Sequence, residues 1–138
     1  DWFSIKLDNQ IDLMLYQLRN KNGGKDPNSS GTLISADGQS RHILDNEFSI
    51  IPIKFWTSPH TNATYPSSWT LTLPEGNLKV TTDFLDQELY GLRSISGSYW
   101  EGSVTIKGKL QGQPVSGKGY VELVGYEKPL IQGDSFRK

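Results

Sequence analysis

Apolar and polar residues alternate along most of the chain with a period of two. Phe3, Ile5 and Leu7 alternate with polar residues near the start, and similar runs recur as far as Tyr126. A period of two is typical of strands that bury one face, whereas an amphipathic helix repeats its apolar positions every 3.6 residues. The pattern therefore predicts an all-β protein.

Turn-forming residues divide these runs into about eight to ten strands. Asp, Asn, Gln, Gly and Pro cluster in residues 36–39, 74–77 and 111–114, and such clusters predict tight hairpin turns. The predicted strands span residues 3–7, 11–16, 31–35, 41–44, 48–58, 67–73, 78–84, 99–110 and 115–126.

Four segments depart from this regular pattern. Pro52 lies inside strand 48–58, and because proline cannot donate to a sheet ladder, this strand is predicted to be an edge strand or to carry a bulge. Residues 19–30 predict a long loop and residues 127–138 an irregular tail. Leucines at helical spacing in residues 85–96 predict a short helix.

The strand count and spacing predict one antiparallel barrel or sandwich over residues 1–138. Glycines recur inside the last two strands, and glycine allows a strongly curved sheet to bend. We therefore expect a closed β-barrel, with a two-sheet sandwich as the alternative. The glycines in question are Gly102, Gly108, Gly117 and Gly119.

Composition excludes several classes of function. The net charge is -1, so the composition gives no indication of a basic surface that would bind nucleic acid. No apolar run is long enough for a membrane span. There is no Cys, which excludes disulfides and thiolate metal sites. His42 and His60 lie far apart, neither has a second ligand at metal spacing, and we expect no metal site.

Aromatic residues are the strongest functional signal. The chain has four Trp, six Tyr and five Phe, and a barrel of about eight strands either fills its interior with side chains or holds one small ligand. We predict a cavity for a lipophilic small molecule, with aromatic packing of a filled core as the alternative. The predicted ligand-binding residues are Trp69, Trp100, Trp56 and Tyr16.

A carboxylate stands between aromatic residues in the segment Tyr99-Trp100-Glu101-Gly102. In an apolar cavity the pKa of Glu101 would rise, and the residue would serve as a general acid assisted by Tyr99. Strand alternation argues against this role, because it places Glu101 on the face opposite Val104 unless a bulge intervenes. The alternative is a surface carboxylate paired with Lys or Arg.

Eight segments of the chain, in order, resemble the second half of the AttH-like and CrtC-like group of bacterial lipocalin-like proteins. This group includes the carotenoid 1,2-hydratases, or hydroxyneurosporene synthases, and proteins labelled predicted secreted hydrolases. The resemblance extends over residues 1–126. The segments are 1–5, 13–19, 31–33, 56–59, 65–66, 87–89, 99–102 and 119–126.

The resemblance implies a lipocalin-like, calycin-type β-barrel that is the C-terminal of two such domains, in a parent protein that is periplasmic or secreted. The start at Asp1 rather than Met agrees with a processed chain or a piece of a longer one. The chemistry it implies is addition of water to a terminal carotenoid double bond without an organic cofactor. Trp69 and Tyr99 match residues tied to this chemistry, Glu101 stands where the hydratases have Asp, and Ser67 stands where they have His.

Three functions follow from the sequence. The first is binding of a lipophilic isoprenoid-like, carotenoid-like or acyl molecule, and the second is a hydratase or isomerase with Glu101 as the acid. The third is a structural domain with a filled barrel that packs on an N-terminal lipocalin-like domain. A filled interior favours the third, and an open cavity favours the first two.

Overall fold

The computed structural model describes residues 1–91 and 97–127, and these residues form an all-β domain. Besides a short 3-10 helix at Asp45–Glu47, its elements are strands. The strands are β1 Trp2–Leu7, β2 Asp12–Tyr16, β3 Ser30–Ile34, β4 Ser40–Ile43, β5 Ser49–Thr57, β6 Thr64–Leu73, β7 Gly76–Thr82, β8 Glu88–Leu89, β9 Tyr99–Leu110 and β10 Gln113–Val124.

All ten strands belong to one antiparallel sheet that curls on itself. The order is β4-β3-β2-β1-β10-β9-β7-β6-β5, and β8 pairs with β9 beside β7. The prediction of an antiparallel, lipocalin-like barrel architecture is confirmed, and the two-sheet sandwich is not. Within the described residues β4 and β5 do not pair, so the ladder is open between these two edges and the expected closure of the barrel is not found there.

The inner face of the curled sheet is packed with side chains. Phe3 of β1 and Trp69 of β6 come from opposite walls, yet their rings meet edge to face with centroids 5.4 Å apart. Side chains from opposite walls therefore pack against each other on the described inner face. The buried apolar residues include Phe3, Ile5, Leu7, Leu13, Leu15, Tyr65, Trp69, Leu71, Leu78, Val80, Trp100, Val104, Ile106, Val121 and Leu123, which form one cluster.

The two ends of the barrel differ. Short turns join β1 to β2, β3 to β4, β6 to β7 and β9 to β10, and antiparallel pairing brings these four turns to one end. The longer connections, whose described residues are 17–29, 58–63, 83–91 and 97–98, lie at the other end. Loops on a rigid scaffold commonly carry binding residues, and we call this second end the mouth.

An ionic cluster spans the gap in the ladder near the turn end. Arg41 of β4 donates hydrogen bonds to Glu47, at 2.9 Å, and to Glu75 in the β6–β7 turn, at 2.5 Å. The Glu75 carboxylate is largely buried, which limits its screening by water. These contacts hold the free edge of β4 against the opposite wall where no backbone ladder does.

Replacing Arg41 with Ala should lower the free energy of unfolding by about 1 kcal/mol, because the ion pairs are partly exposed and such pairs contribute little more. Urea denaturation at low and high salt measures the effect, and the deficit should shrink as salt screens the wild-type pairs. The Arg41→Lys variant, which keeps the charge, should recover part of the loss. A stability equal to that of the wild type at low salt would contradict this account.

The strand at residues 48–58 agrees with its prediction, whereas residues 85–91 do not. The predicted edge character of residues 48–58 is confirmed, since β5 is the last strand and its pairing with β6 shifts register around Pro52 and Lys54. The helix predicted for residues 85–96 is wrong in its described part, because Glu88 and Leu89 form β8 against β9. Residues 92–96 of that helix, and the predicted tail beyond Glu127, lie outside the described residues. No helix in the described chain is long and apolar enough to cross a membrane.

Candidate functional site

A buried carboxylate lies at the mouth of the barrel. Glu88 is only 8% exposed, and three hydroxyl groups donate hydrogen bonds to it. Tyr65 Oη donates to Oε1 at 2.8 Å, Thr61 Oγ1 donates to the same oxygen at 2.5 Å, and Ser58 Oγ donates to Oε2. Because Ser58 and Thr61 belong to the β5–β6 loop, the carboxylate joins this loop to β8.

The position of Glu88 is set by its neighbour Gln87. The Gln87 side chain donates to Phe84 O at 2.8 Å and accepts from Ser103 N at 2.9 Å, so it fills the gap in the ladder between β7 and β8. This amide lies directly over Gly102, where a Cβ atom would stand 2.2 Å from it. Gly102 therefore allows Gln87 to reach the strand and fixes where β8 begins.

Trp100 of β9 also binds the segment between β7 and β8. Its indole Nε1 donates to Leu85 O at 2.7 Å while its ring remains in the core. The connection that carries Glu88 is thus tied to β9 by a buried ring as well as by Gln87.

The hydrogen bonds determine the ionisation of the carboxylate. Burial opposes the charged form, but the hydroxyl groups of Ser58, Thr61 and Tyr65 outweigh it and hold the pKa of Glu88 below its ordinary value. Burial, together with the nearby carboxylate, raises the pKa of Tyr65 to about 12. Glu88 is therefore an anion and Tyr65 a neutral donor at neutral pH, and in the described residues no Lys, Arg or His forms an ion pair with Glu88.

Aromatic rings surround the hydroxyl of Tyr65. Trp56 of β5 stacks on the Tyr65 ring with centroids 6.3 Å apart, and Tyr126 lies against it at 5.6 Å. Trp56 and Tyr126 are half-buried, so part of each side chain is accessible to solvent. Arg19 lies over the Tyr126 ring, 4.1 Å from its centroid, and also forms an ion pair with Asp1.

A second contact joins the two loops above Glu88. The His60 ring stacks on Tyr90 with centroids 4.3 Å apart, and its Nε2 atom lies 2.9 Å from Asp86 Oδ2. The backbone N–H of His60 also donates to Ser58 Oγ, the hydroxyl group that binds Glu88. Residues 58–61 and 86–90 therefore form one unit held by hydrogen bonds and ring stacking.

The residues predicted from the sequence are not brought together in one site. Trp69 and Trp100 lie in the packed core, and Trp56 lies at the mouth. Tyr16, Tyr99 and Glu101 lie on the outer face of the sheet, because β2 and β9 alternate without a register shift at these positions. The predicted roles of these residues remain predictions.

On the outer face Glu101 stands directly opposite Glu122 of β10. Burial, followed by the negative charge of Glu101, raises the pKa of Tyr120 on the same face. The hydroxyl of Tyr16 is within 2.9 Å of Ser30 Oγ, two strands away from this pair. Glu101 and Tyr99 thus face away from the core, as strand alternation predicted.

Sequence reasoning missed Glu88, Tyr65, Ser58 and Thr61. Their hydrogen bonds join residues 23 to 30 positions apart, and this pairing is not visible in a local pattern. The sequence offered one local signal for Glu88, its position beside Leu89. These two residues form the strand β8 and not the predicted helix. Within residues 1–91 and 97–127, no group of three or more His, Cys, Asp or Glu is arranged to hold a metal ion.

Comparison with known families identifies the group to which this fold belongs. The model of the AttH-like family matches residues 1–126. The chain belongs to the AttH-like family. The resemblance drawn from its sequence segments is thereby confirmed.

Two solved structures resemble this AttH-like domain. One is a Nitrosomonas europaea protein described as a candidate AttH, with 36% identity, a TM-score of 0.82 and coverage of 92% of this chain and 38% of that one. The other is kievitone hydratase from Nectria haematococca, with 23% identity, a TM-score of 0.74 and coverage of 91% and 39%. The chain thus spans well under half the length of these proteins. No curated protein matches it.

Proposed function

We propose that this AttH-like domain binds a neutral lipophilic molecule at the mouth of its barrel, against Trp56 and above Glu88. The observation that carries the proposal is the half-buried Trp56 ring stacked on Tyr65, whose hydroxyl group is bound to a buried carboxylate. An apolar chain would pack on the aromatic rings, which combine a large contact area with low conformational freedom. The filled interior supports the mouth rather than the centre of the barrel as the place of binding.

The charge of Glu88 supports a choice among lipophilic ligands. An isoprenoid alcohol or a similar neutral molecule suffers no repulsion from an ionised carboxylate, whereas an acyl chain that ends in its own carboxylate does. We therefore favour an isoprenoid-like alcohol over a free fatty acid.

A matched pair of probes tests this proposal. Tryptophan fluorescence is titrated with 1-decanol and with decanoate, which share a chain length and differ in charge. We expect binding of the alcohol at least ten-fold tighter than that of the acid, and Glu88→Gln should reduce this preference because it removes the negative charge.

Trp56→Leu should weaken decanol binding about ten-fold, which corresponds to ~1.4 kcal/mol. Trp2→Leu is the control, since Trp2 begins β1 at the same end of the barrel but lies half-exposed on the outer face of the sheet. Equal losses in the two tryptophan variants, or no response to either probe, would refute binding at the mouth.

A hydratase activity is the second candidate, and the name of the Nectria haematococca relative motivates it. Acid-assisted addition of water requires a proton donor beside the double bond. At the mouth Glu88 is ionised and Tyr65 is a very weak acid, while Glu101 faces away from the core. These positions support binding more than catalysis.

A further inference from the structure

Two lysines stand opposite each other on the outer face of the sheet. Lys79 of β7 is the ladder partner of Lys107 of β9, and both residues are exposed. Directly opposed residues of an antiparallel pair have Cβ atoms about 5 Å apart, and like charges at these positions destabilise the sheet. Lys109 lies two residues further along β9, on the same side of the strand. This part of the sheet therefore concentrates positive charge.

Both opposed lysines line a recess of about 400 Å³ on this face. A volume of this size is ordinary for a small-molecule site. Because Lys79 and Lys107 share its wall, a single anion in the recess would lie close to two positive charges and would relieve their mutual repulsion. The lining residues are Lys79, Thr81, Thr82, Asp83, Thr105 and Lys107.

The carboxylate of Asp83, which also lines the recess, is bound by other groups. Thr105 Oγ1 donates a hydrogen bond to Asp83 Oδ1 at 2.6 Å, and Lys118 Nζ lies 3.3 Å from Oδ2. The charge of Lys118 thus offsets that of Asp83. In the part of the chain that the structure describes, the ion pairs do not include Lys79 or Lys107. Two positive charges therefore remain at the recess.

We propose that this recess binds a phosphate-type dianion between Lys79 and Lys107. A dianion matches the two excess positive charges, and lysine is a common partner of phosphate groups, to which it contributes a point charge. The dianion belongs either to a free phosphomonoester or to the headgroup of a lipid such as phosphatidic acid. This inference goes beyond the proposed function, because the recess lies on the outer face of the sheet and its test requires no lipophilic ligand at the mouth.

NMR titration of the 138-residue chain with inorganic phosphate tests the proposal directly. At about pH 7.5 a phosphate group carries close to two negative charges, and sodium chloride keeps the ionic strength constant. We expect the backbone amide signals of Thr81 and Lys107 to shift along a saturating curve with a Kd of about 5 mM or lower. Lys107→Gln should raise this Kd at least five-fold, because it removes one of the two charges.

The control is Lys21→Gln, which removes an exposed lysine from the loop between β2 and β3 and should leave the Kd unchanged. Shifts that do not saturate would overturn the proposal. An equal effect of the Lys107→Gln and Lys21→Gln substitutions would also overturn it, because phosphate would then respond only to the net charge of the protein.

The repulsion between the lysines gives a second measurement. In phosphate-free buffer of low ionic strength, Lys107→Gln should raise the Tm by about 1–2 °C, since it removes a pair of like charges. Adding 20 mM phosphate at constant ionic strength should then raise the Tm of the wild type by about 2–4 °C and that of the variant by much less. An equal gain in the two proteins would refute a site at these lysines.

Sedimentation with lipid vesicles distinguishes the two sources of the dianion. The vesicles contain phosphatidylcholine with or without about one-fifth phosphatidic acid. Sedimentation that requires phosphatidic acid and is lost in Lys107→Gln would assign the recess to a lipid headgroup. Saturable binding of inorganic phosphate without sedimentation would assign it to a free phosphomonoester, and the absence of both would overturn the proposal.

Discussion

Replacing Gly108 with Val should strongly destabilise the barrel. Gly108 lies on the inner row of β9, paired with Leu78 of β7 on one side and Val115 of β10 on the other. A Cβ atom at this position would stand 2.2 Å from the backbone oxygen of Asn77 and 2.9 Å from the Cα of Leu78. Since these are backbone atoms, they cannot move without breaking the β7–β9 ladder, and valine adds two further methyl groups.

The expected loss is about 4 kcal/mol of the free energy of unfolding, at the upper end of the effects of overpacking a core. Urea denaturation measures the loss, and near-UV circular dichroism reports whether the tryptophan packing survives. Gly112→Ala is the matched control. It lies in the β9–β10 turn at a φ of +75° with nothing within 4 Å of its added Cβ, so it should lose only about 1 kcal/mol to backbone strain. A Gly108→Val variant as stable as this control would contradict the account.

The architecture was largely readable from the sequence because each strand buries one face and exposes the other. Alternation in β9 and β10 gave both their length and their orientation, and it correctly placed Glu101 on the outer side. Pro52 marked the edge strand for a reason that is local to the residue, its missing N–H. Where the cause lies within a few neighbouring residues, the prediction succeeds.

The connection between β7 and β9 shows where such reasoning fails. Leucine spacing favoured a helix, yet Gln87 makes hydrogen bonds with backbone groups of Phe84 and Ser103, and Glu88 pairs with Trp100 in the ladder. The helical preference of a short segment is worth only a few tenths of a kcal/mol per residue. Tertiary hydrogen bonds, which a single sequence does not reveal, outweigh it.

The candidate site was missed for the same reason. The aromatic content pointed towards ligand binding, and Trp56 was among the residues named, but the carboxylate chosen was Glu101 rather than Glu88. The two residues look alike in the sequence, since Glu88 precedes Leu89 and Glu101 follows Trp100. They differ in their hydrogen bonds: Glu88 accepts bonds from Ser58, Thr61 and Tyr65. The folded chain brings these residues together.

Replacing Glu88 with Leu should cost about 3 kcal/mol of stability. The variant leaves the hydroxyl groups of Ser58 and Tyr65 buried without their acceptor, and each such loss costs about 1–3 kcal/mol. The expected loss of stability is smaller than the upper limit for two unsatisfied hydroxyl groups. One reason is that Tyr65 Oη still has Ser98 Oγ as a partner at 3.2 Å, and the other is that leucine adds apolar contact. Glu101→Leu is the same substitution on the outer face, where it also removes the repulsion from Glu122, so its stability should change by no more than about 0.5 kcal/mol.

The difference between the wild type and Glu88→Leu should depend on pH. Because the pKa of Glu88 is lower in the folded state than its ordinary value of 4.5, the unfolded chain binds the proton more readily. The carboxylate therefore contributes its full stabilisation above about pH 4.5, and this contribution disappears as the pH falls through the pKa of the folded state. Thermal denaturation of both proteins between pH 3 and pH 7 measures the effect. A constant difference across this range, or an equal loss of stability in Glu101→Leu, would mean that Glu88 is not the ionised, hydrogen-bonded group at the centre of the mouth.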